Sequence, residues 1–170
     1  MFENLIRPMI QINPTDAGTT ILTAEQQFCG SVESVFAFFA DAGNLEAITP
    51  PWLKFRIRTP LPIDMQNGTL IDYRLRLHWI PIRWRTVISE WDPPFQFVDT
   101  QIRGPYRLWR HTHTFEESGN QTLMKDMVEY SAPGGRLVNR LLVEPDLKKI
   151  FRYRQQCLAE KFSATRSPVV

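Results

Sequence analysis

Between residues 104 and 130 the chain reads GPYRLWRHTHTFEESGNQTLMKDMVEY, and its side chains change character at every second residue. Successive side chains of a strand point to opposite faces of a sheet, so a period of two over this length demands extended structure. Along residues 107–115 one face carries Trp109, His111, His113 and Phe115, and the other carries Leu108, Arg110, Thr112 and Thr114. The Ser118-Gly119-Asn120 cluster is a strong breaker. Beyond it Thr122, Met124, Asp126, Val128 and Tyr130 share a face opposite Leu123, Lys125, Met127 and Glu129. Two antiparallel strands with their more apolar faces inward bring two histidines and an aspartate into an aromatic-lined interior.

The rest of the chain supplies what such a pair packs against. Residues 19–29 read as a first strand. Ser31 can cap a short helix in which Val32, Val35, Phe36 and Phe39 fall at i, i+3, i+4 and i+7. A second short helical piece, 41–48, stops before Thr49-Pro50-Pro51, because a residue before proline is pushed out of the helical region. Strands follow at 54–59, 69–79, 82–91 and 95–103, with Ile71, Tyr73, Leu75, Leu77 and Trp79 on one face. The spacing is that of an antiparallel meander rather than of βαβ units. A long helical segment, 135–162, closes the chain with an apolar stripe of Val138, Leu141, Leu142, Leu147, Ile150, Phe151, Leu158 and Phe162. Pro145 should kink or restart it. Residues 1–18 read as an arm, 19–162 as one domain and 163–170 as a loose tail.

Length and charge exclude several classes. The 170 residues suffice for one domain with a core or a cavity. A formal net charge of +2 does not argue for a nucleic-acid partner, and Arg74, Arg76, Arg83 and Arg85 alternate onto the outer face of their strands. Cys29 and Cys157 offer neither a disulfide framework nor metal-ligand spacing, which suits a reducing compartment. The opening MFENLIRPMI lacks a signal-peptide core, and no stretch approaches the roughly 20 apolar residues of a membrane span. The expectation is a cytoplasmic, soluble protein. Lys148, Lys149, Arg152 and Arg154 make a basic helix face, read as solvated, with weak contact to an anionic membrane surface as the lesser reading.

The phrases WDPPFQFVDTQIRGPYRLWRHTHTF and TLMKDMVEYSAPGG resemble the START-like, or SRPBCC, superfamily, and within it the polyketide cyclase/dehydrase-type ligand-binding subgroup. The resemblance is carried by Phe97 and Asp99, the Gly104-Pro105-Tyr106 turn, Trp109-x-His111-x-His113-x-Phe115, and Thr122, Asp126 and Tyr130 before Pro133. It implies an α+β helix-grip fold: a seven-stranded antiparallel sheet curved round a long C-terminal helix, with two short helices after the first strand. It also implies a hydrophobic cavity between sheet and helix, used in the superfamily for sterols, lipids, polyketides and other apolar molecules.

The inner faces then define a candidate site. His111, His113 and Asp126 are the candidate catalytic groups: an imidazole titrates near neutrality, and a carboxylate beside it can orient the ring. Tyr73, Trp84, Phe97, Asp99, Gln101, Trp109, Phe115, Met124, Tyr130 and Phe151 are the candidate ligand-facing residues, a polar strip inside an apolar pocket. The favoured function is binding or carriage of an apolar or aromatic small molecule. A cyclase or dehydratase using the histidines as general base, and an interaction module with no ligand, are the alternatives. The plainer reading of Asp99, His111, His113 and Asp126 is that they satisfy one another and fix register. His111 and His113, about 6.5 Å apart along a strand, could hold zinc with Asp126 or Asp99, but the pattern lacks helical His spacing or cysteine ligands. No metal, cofactor or nucleic acid is expected. The Gly134-Gly135 pair reads as a hinge for the last helix.

Overall fold

The computed structural model describes residues 9–163. Eight strands form one antiparallel sheet in the order β1-β2-β8-β7-β6-β5-β4-β3, and a C-terminal helix lies across its concave face. The strands are β1 (Met9–Pro14), β2 (Thr20–Cys29), β3 (Arg56–Ile57), β4 (Leu70–Leu77), β5 (Ile80–Asp92), β6 (Gln96–Arg103), β7 (Leu108–Ser118) and β8 (Gln121–Ser131). β7 and β8 are the hairpin read from the alternation, with His113 opposite Asp126, Trp109 opposite Tyr130 and Phe115 opposite Met124. β6 pairs with β7 so that Asp99 faces His111. The arrangement is the expected one with one strand more.

The additional strand is β1, which lies within the stretch read as an arm. Ile10 and Ile12 alternate toward the core cluster under the helix, and the register Ile12 to Leu22 closes the edge of β2. The arm's residues 1–8 and the tail's residues 164–170 lie outside the described residues. Two further expectations are corrected at the other edge. The strand expected at 54–59 contracts to Arg56–Ile57. Trp79, expected on the inner face of β4, is 87 % exposed. It and His78 form the β4–β5 reversal, both at positive φ (73° and 46°). Such two-residue reversals match the twist of the flanking strands, and the alternation of β4 does not continue through them.

Helix α1 (Val32–Ala40) is capped by Ser31, whose Oγ accepts from the Ser34 amide at 3.3 Å. It buries Val32, Val35, Phe36 and Phe39, the four residues its spacing selects. The second helical piece, expected over 41–48, is a 3₁₀ turn at Ala42–Leu45, and another 3₁₀ turn, Pro51–Leu53, lies beyond it where extended chain was expected. The C-terminal segment begins as α2 (Gly135–Val138), widens into a π turn at Asn139–Val143 and continues as α3 (Glu144–Ser163). Pro145 explains the widening. A proline inside an α-helix collides with the carbonyl one turn back and lacks a donor. The wider turn, closed by the Glu144 amide on the Asn139 carbonyl, relieves both demands and starts α3 with proline in its first turn.

Candidate functional site

Five elements contribute polar groups at one level of the interior, with apolar packing above and below. On β2, Leu22 and Ala24 join one core cluster and Phe28 another, with Gln26 between them. β7 runs Trp109, His111, His113, Phe115; β8 runs Tyr130, Val128, Asp126, Met124; α3 runs Leu147, Phe151, then Arg154 and Gln155, then Leu158. β6 adds Asp99 beside Phe97. The polar belt therefore separates these two core clusters. Its ends are held by the Gln26 amide donating to the Gln155 carbonyl at 2.9 Å.

Two imidazoles sit between two carboxylates at the middle of the belt. His111 Nε2 bonds Asp126 Oδ1 at 2.8 Å, and its Nδ1 lies 3.6 Å from Asp99 Oδ2. His113 Nε2 bonds Asp99 Oδ2 at 3.0 Å. Its Nδ1 is 2.8 Å from Asp126 Oδ1, an ion contact whose angle falls outside a hydrogen bond. The rings lie 3.7 Å apart, tilted by 36°, and Phe97 stacks on the far side of His113 at 4.1 Å. His111, His113 and Asp126 are nearly inaccessible, and the Asp99 side chain is 17 % exposed.

Burial and pairing pull these groups apart. Burial, joined by the repulsion of His113, lowers the pKa of His111 below the usual imidazole range. Burial also opposes charge on His113, but its close contacts with the carboxylates of Asp126 and Asp99 outweigh it and raise its pKa. For Asp99 the bond from His113 and the charges of both rings and Arg154 overcome burial and lower the pKa. Asp126 is held well below the carboxylate range against burial by Arg154 and both histidines. The two histidines are thereby differentiated: His113 favours the charged form and His111 the neutral one.

The belt borders a cavity of about 200 Å³ between the sheet, the two 3₁₀ turns and α3. Of the residues singled out by sequence, Tyr73, Trp84, Phe97, Asp99, Trp109, His111, His113 and Phe151 line it. Asp126 lies behind the imidazoles. Phe115, Met124 and Tyr130 are buried in the core away from the cavity wall. Burial pushes the Tyr130 hydroxyl up to about 12. Gln101 turns aside: its Nε2 donates to the Tyr106 carbonyl at 2.7 Å and its Oε1 accepts from the Tyr106 amide, so it braces the β6–β7 turn.

The residue that sequence reading misplaced is Arg154. Assigned to a solvated face with Lys148, Lys149 and Arg152, its side chain is instead only 12 % exposed, lines the cavity and stands 3.9 Å from Asp126 Oδ1. Its guanidinium lies over the Phe39 ring at 5.6 Å. The signal was present, since position 154 follows Leu147 by seven and Phe151 by three and precedes Leu158 by four, which is the buried stripe of α3. Leu45, Ile48, Phe55, Leu75, Thr86 and Ile88 also line the cavity, and were not singled out because no single one is unusual for a core.

Asp99, His111 and His113 each present one ligand atom within 4.8 Å of the others, so the trio could hold a divalent cation. Within the trio His113 Nε2 already bonds Asp99 Oδ2 at 3.0 Å, and His111 Nδ1 lies 3.6 Å from the same oxygen. No helix among the described residues is long and apolar enough to cross a membrane.

No known family model and no curated protein matches the sequence. Solved structures do match. Protein Ms6760 from Mycobacterium smegmatis superposes with a TM-score of 0.66 at 16 % identity, covering 93 % of this chain and 100 % of that one. The major latex-like protein 151 from Panax ginseng gives 0.62 at 10 % identity over 85 % and 98 % of the two chains. Ara h 8.0201 gives 0.64 at 13 % identity over 87 % and 100 %. Identities this low speak to architecture, and the curved antiparallel sheet gripping one C-terminal helix gives the conclusion: the chain has the START-like, helix-grip fold.

Proposed function

We propose that the protein binds or carries an apolar or aromatic small molecule in the cavity between its sheet and α3. The observation that carries this is the wall itself, mainly aromatic and aliphatic, with the polar belt at one level and Asp41, Asn44 and Thr49 on and around the first 3₁₀ turn. That is the composition of a small-molecule site. A dry apolar cavity of roughly 150 Å³ accepts a single benzene ring, so about 200 Å³ suits a body of one or two rings without rearrangement. 2-Methoxynaphthalene, a neutral fluorescent probe of two rings, tests it. Saturable 1:1 binding that Leu75→Trp abolishes and His113→Gln retains is expected; binding indifferent to Leu75→Trp would contradict it.

Catalysis, as a cyclase or dehydratase, is the second reading. It is favoured by a neutral His111 at the cavity wall beside a carboxylate, the arrangement of a general base. A keto-bearing probe turned over by wild type and by no His111→Gln variant would select it over simple carriage.

Contact with an anionic membrane surface is supported at the end of the molecule where His78 pairs with Asp146. Trp79, Ile80, Leu137, Leu141 and Leu142 are exposed there or on the adjoining helical turns, and Arg76, Arg136 and Arg140 stand among them exposed. Apolar side chains interspersed with arginines suit an interface of lipid tails and anionic head groups. Co-sedimentation with phosphatidylserine vesicles, weakened by Leu141→Glu and absent with phosphatidylcholine alone, is expected; equal recovery with both vesicles would remove this reading.

A further inference from the structure

The Arg154 side chain makes no hydrogen bond among the described residues, and its Nε is buried without a partner. A guanidinium carries five donors in a planar fork, and a charge this far from water needs pairing. Asp126 does not meet the need. Its Oδ1 already accepts from His111 Nε2 and touches His113 Nδ1, both at 2.8 Å, and Arg154 reaches it only at 3.9 Å. Phe39 covers one face of the guanidinium, and the cavity is what remains in front of it. The site is thus unlike a purely apolar pocket: beside the polar belt of a mainly apolar wall it holds a nearly buried cation with unused donors.

Building on the cavity reading, we infer that the molecule bound there carries one carboxylate, held by Arg154, on an apolar or aromatic body. A carboxylate matches the guanidinium fork with two parallel hydrogen bonds. A dianion fits poorly, because Asp99 lines the same wall and is itself held ionised. The body fills the space bounded by Leu45, Ile48, Phe55, Leu75 and Trp84. Arg154 is then the group that selects an apolar acid over its neutral relatives of the same shape.

The test uses the full chain and three probes of one shape: 2-naphthoate, methyl 2-naphthoate and 2-naphthalenemethanol, titrated at neutral pH by calorimetry. Hydrogen bonds to a charged group predict that naphthoate binds about 10- to 100-fold more tightly than the ester. Arg154→Met should remove that preference, so that acid and ester bind alike, and Arg154→Lys, which keeps the charge and loses the fork, should fall between. Thermal melts of both variants check that they fold. Equal affinity for acid and ester, or a preference that survives Arg154→Met, overturns the inference while the cavity reading stands. Failure of all three probes to bind overturns both.

Discussion

At the residue scale the belt is a set of mutual obligations. Asp126 serves His111 and His113 at once, with the Arg154 guanidinium 3.9 Å away, and removing one partner of a buried charge group costs far more than the group contributes as a whole. Asp126→Asn should therefore destabilise the protein by about 3–5 kcal/mol, lowering Tm by on the order of 10 °C for a chain of this size. A melt within 2 °C or so of wild type would show that the belt is not fixed by charge. The histidines give a pH signature. His113 has a raised pKa, so its contribution is full below the unfolded value and is lost as pH rises through the folded one. His111 has a lowered pKa, so its contribution is present above the unfolded value and is lost as pH falls below it. Asp99 and Asp126 lose theirs only as pH falls below the ordinary carboxylate value. The two histidine effects oppose each other in wild type and separate in variants. The stability lost in His113→Gln should be greater at about pH 5.5 than at about pH 9, and that lost in His111→Gln greater at the higher pH. Urea midpoints at the two pH values read both, and parallel losses would sink the assignment of opposite protonation.

At the scale of elements, what was legible in sequence followed how local its cause is. α1 and the β7–β8 hairpin declare themselves because cap, period and turn residues lie within the segment that they shape. β1 was missed because MIQINP carries only two inward isoleucines; its extended state is imposed by the open edge of β2. Trp79 was placed inward because a period of two says nothing about where a strand reverses. Gln101 was drawn to the site by the same extrapolation, whereas its side chain found the nearer unmet groups of the Tyr106 backbone. Arg154 was misread because charge was given more weight than position in the helical stripe. The entry to the last helix offers a test of backbone causes. Gly134 sits at φ 93°, and a Cβ there would lie 2.6 Å from Val138 Cγ2. Gly119 also has positive φ, with nothing within 4 Å. Left-handed backbone costs an L-residue about 1–2 kcal/mol, so Gly119→Ala should lose about that much and Gly134→Ala distinctly more. Equal losses by denaturant titration would mean that α2 yields freely at Val138.

At the scale of the whole molecule, the eight-stranded sheet could have closed a dry core against α3, and instead leaves a cavity at the level where its charges are gathered. The resemblance in sequence reached this architecture; it could not reach the contents of the cavity, because a fold hosts many functions and the site alone decides among them. The most direct measurement is native mass spectrometry of the protein purified from its own host, followed by organic extraction of whatever it carries. A stoichiometric adduct that extracts as an apolar or aromatic molecule is the predicted result. A clean unliganded mass, unshifted by a panel of lipids, sterols and aromatic polyketides, would contradict the account and leave the belt as a purely structural device.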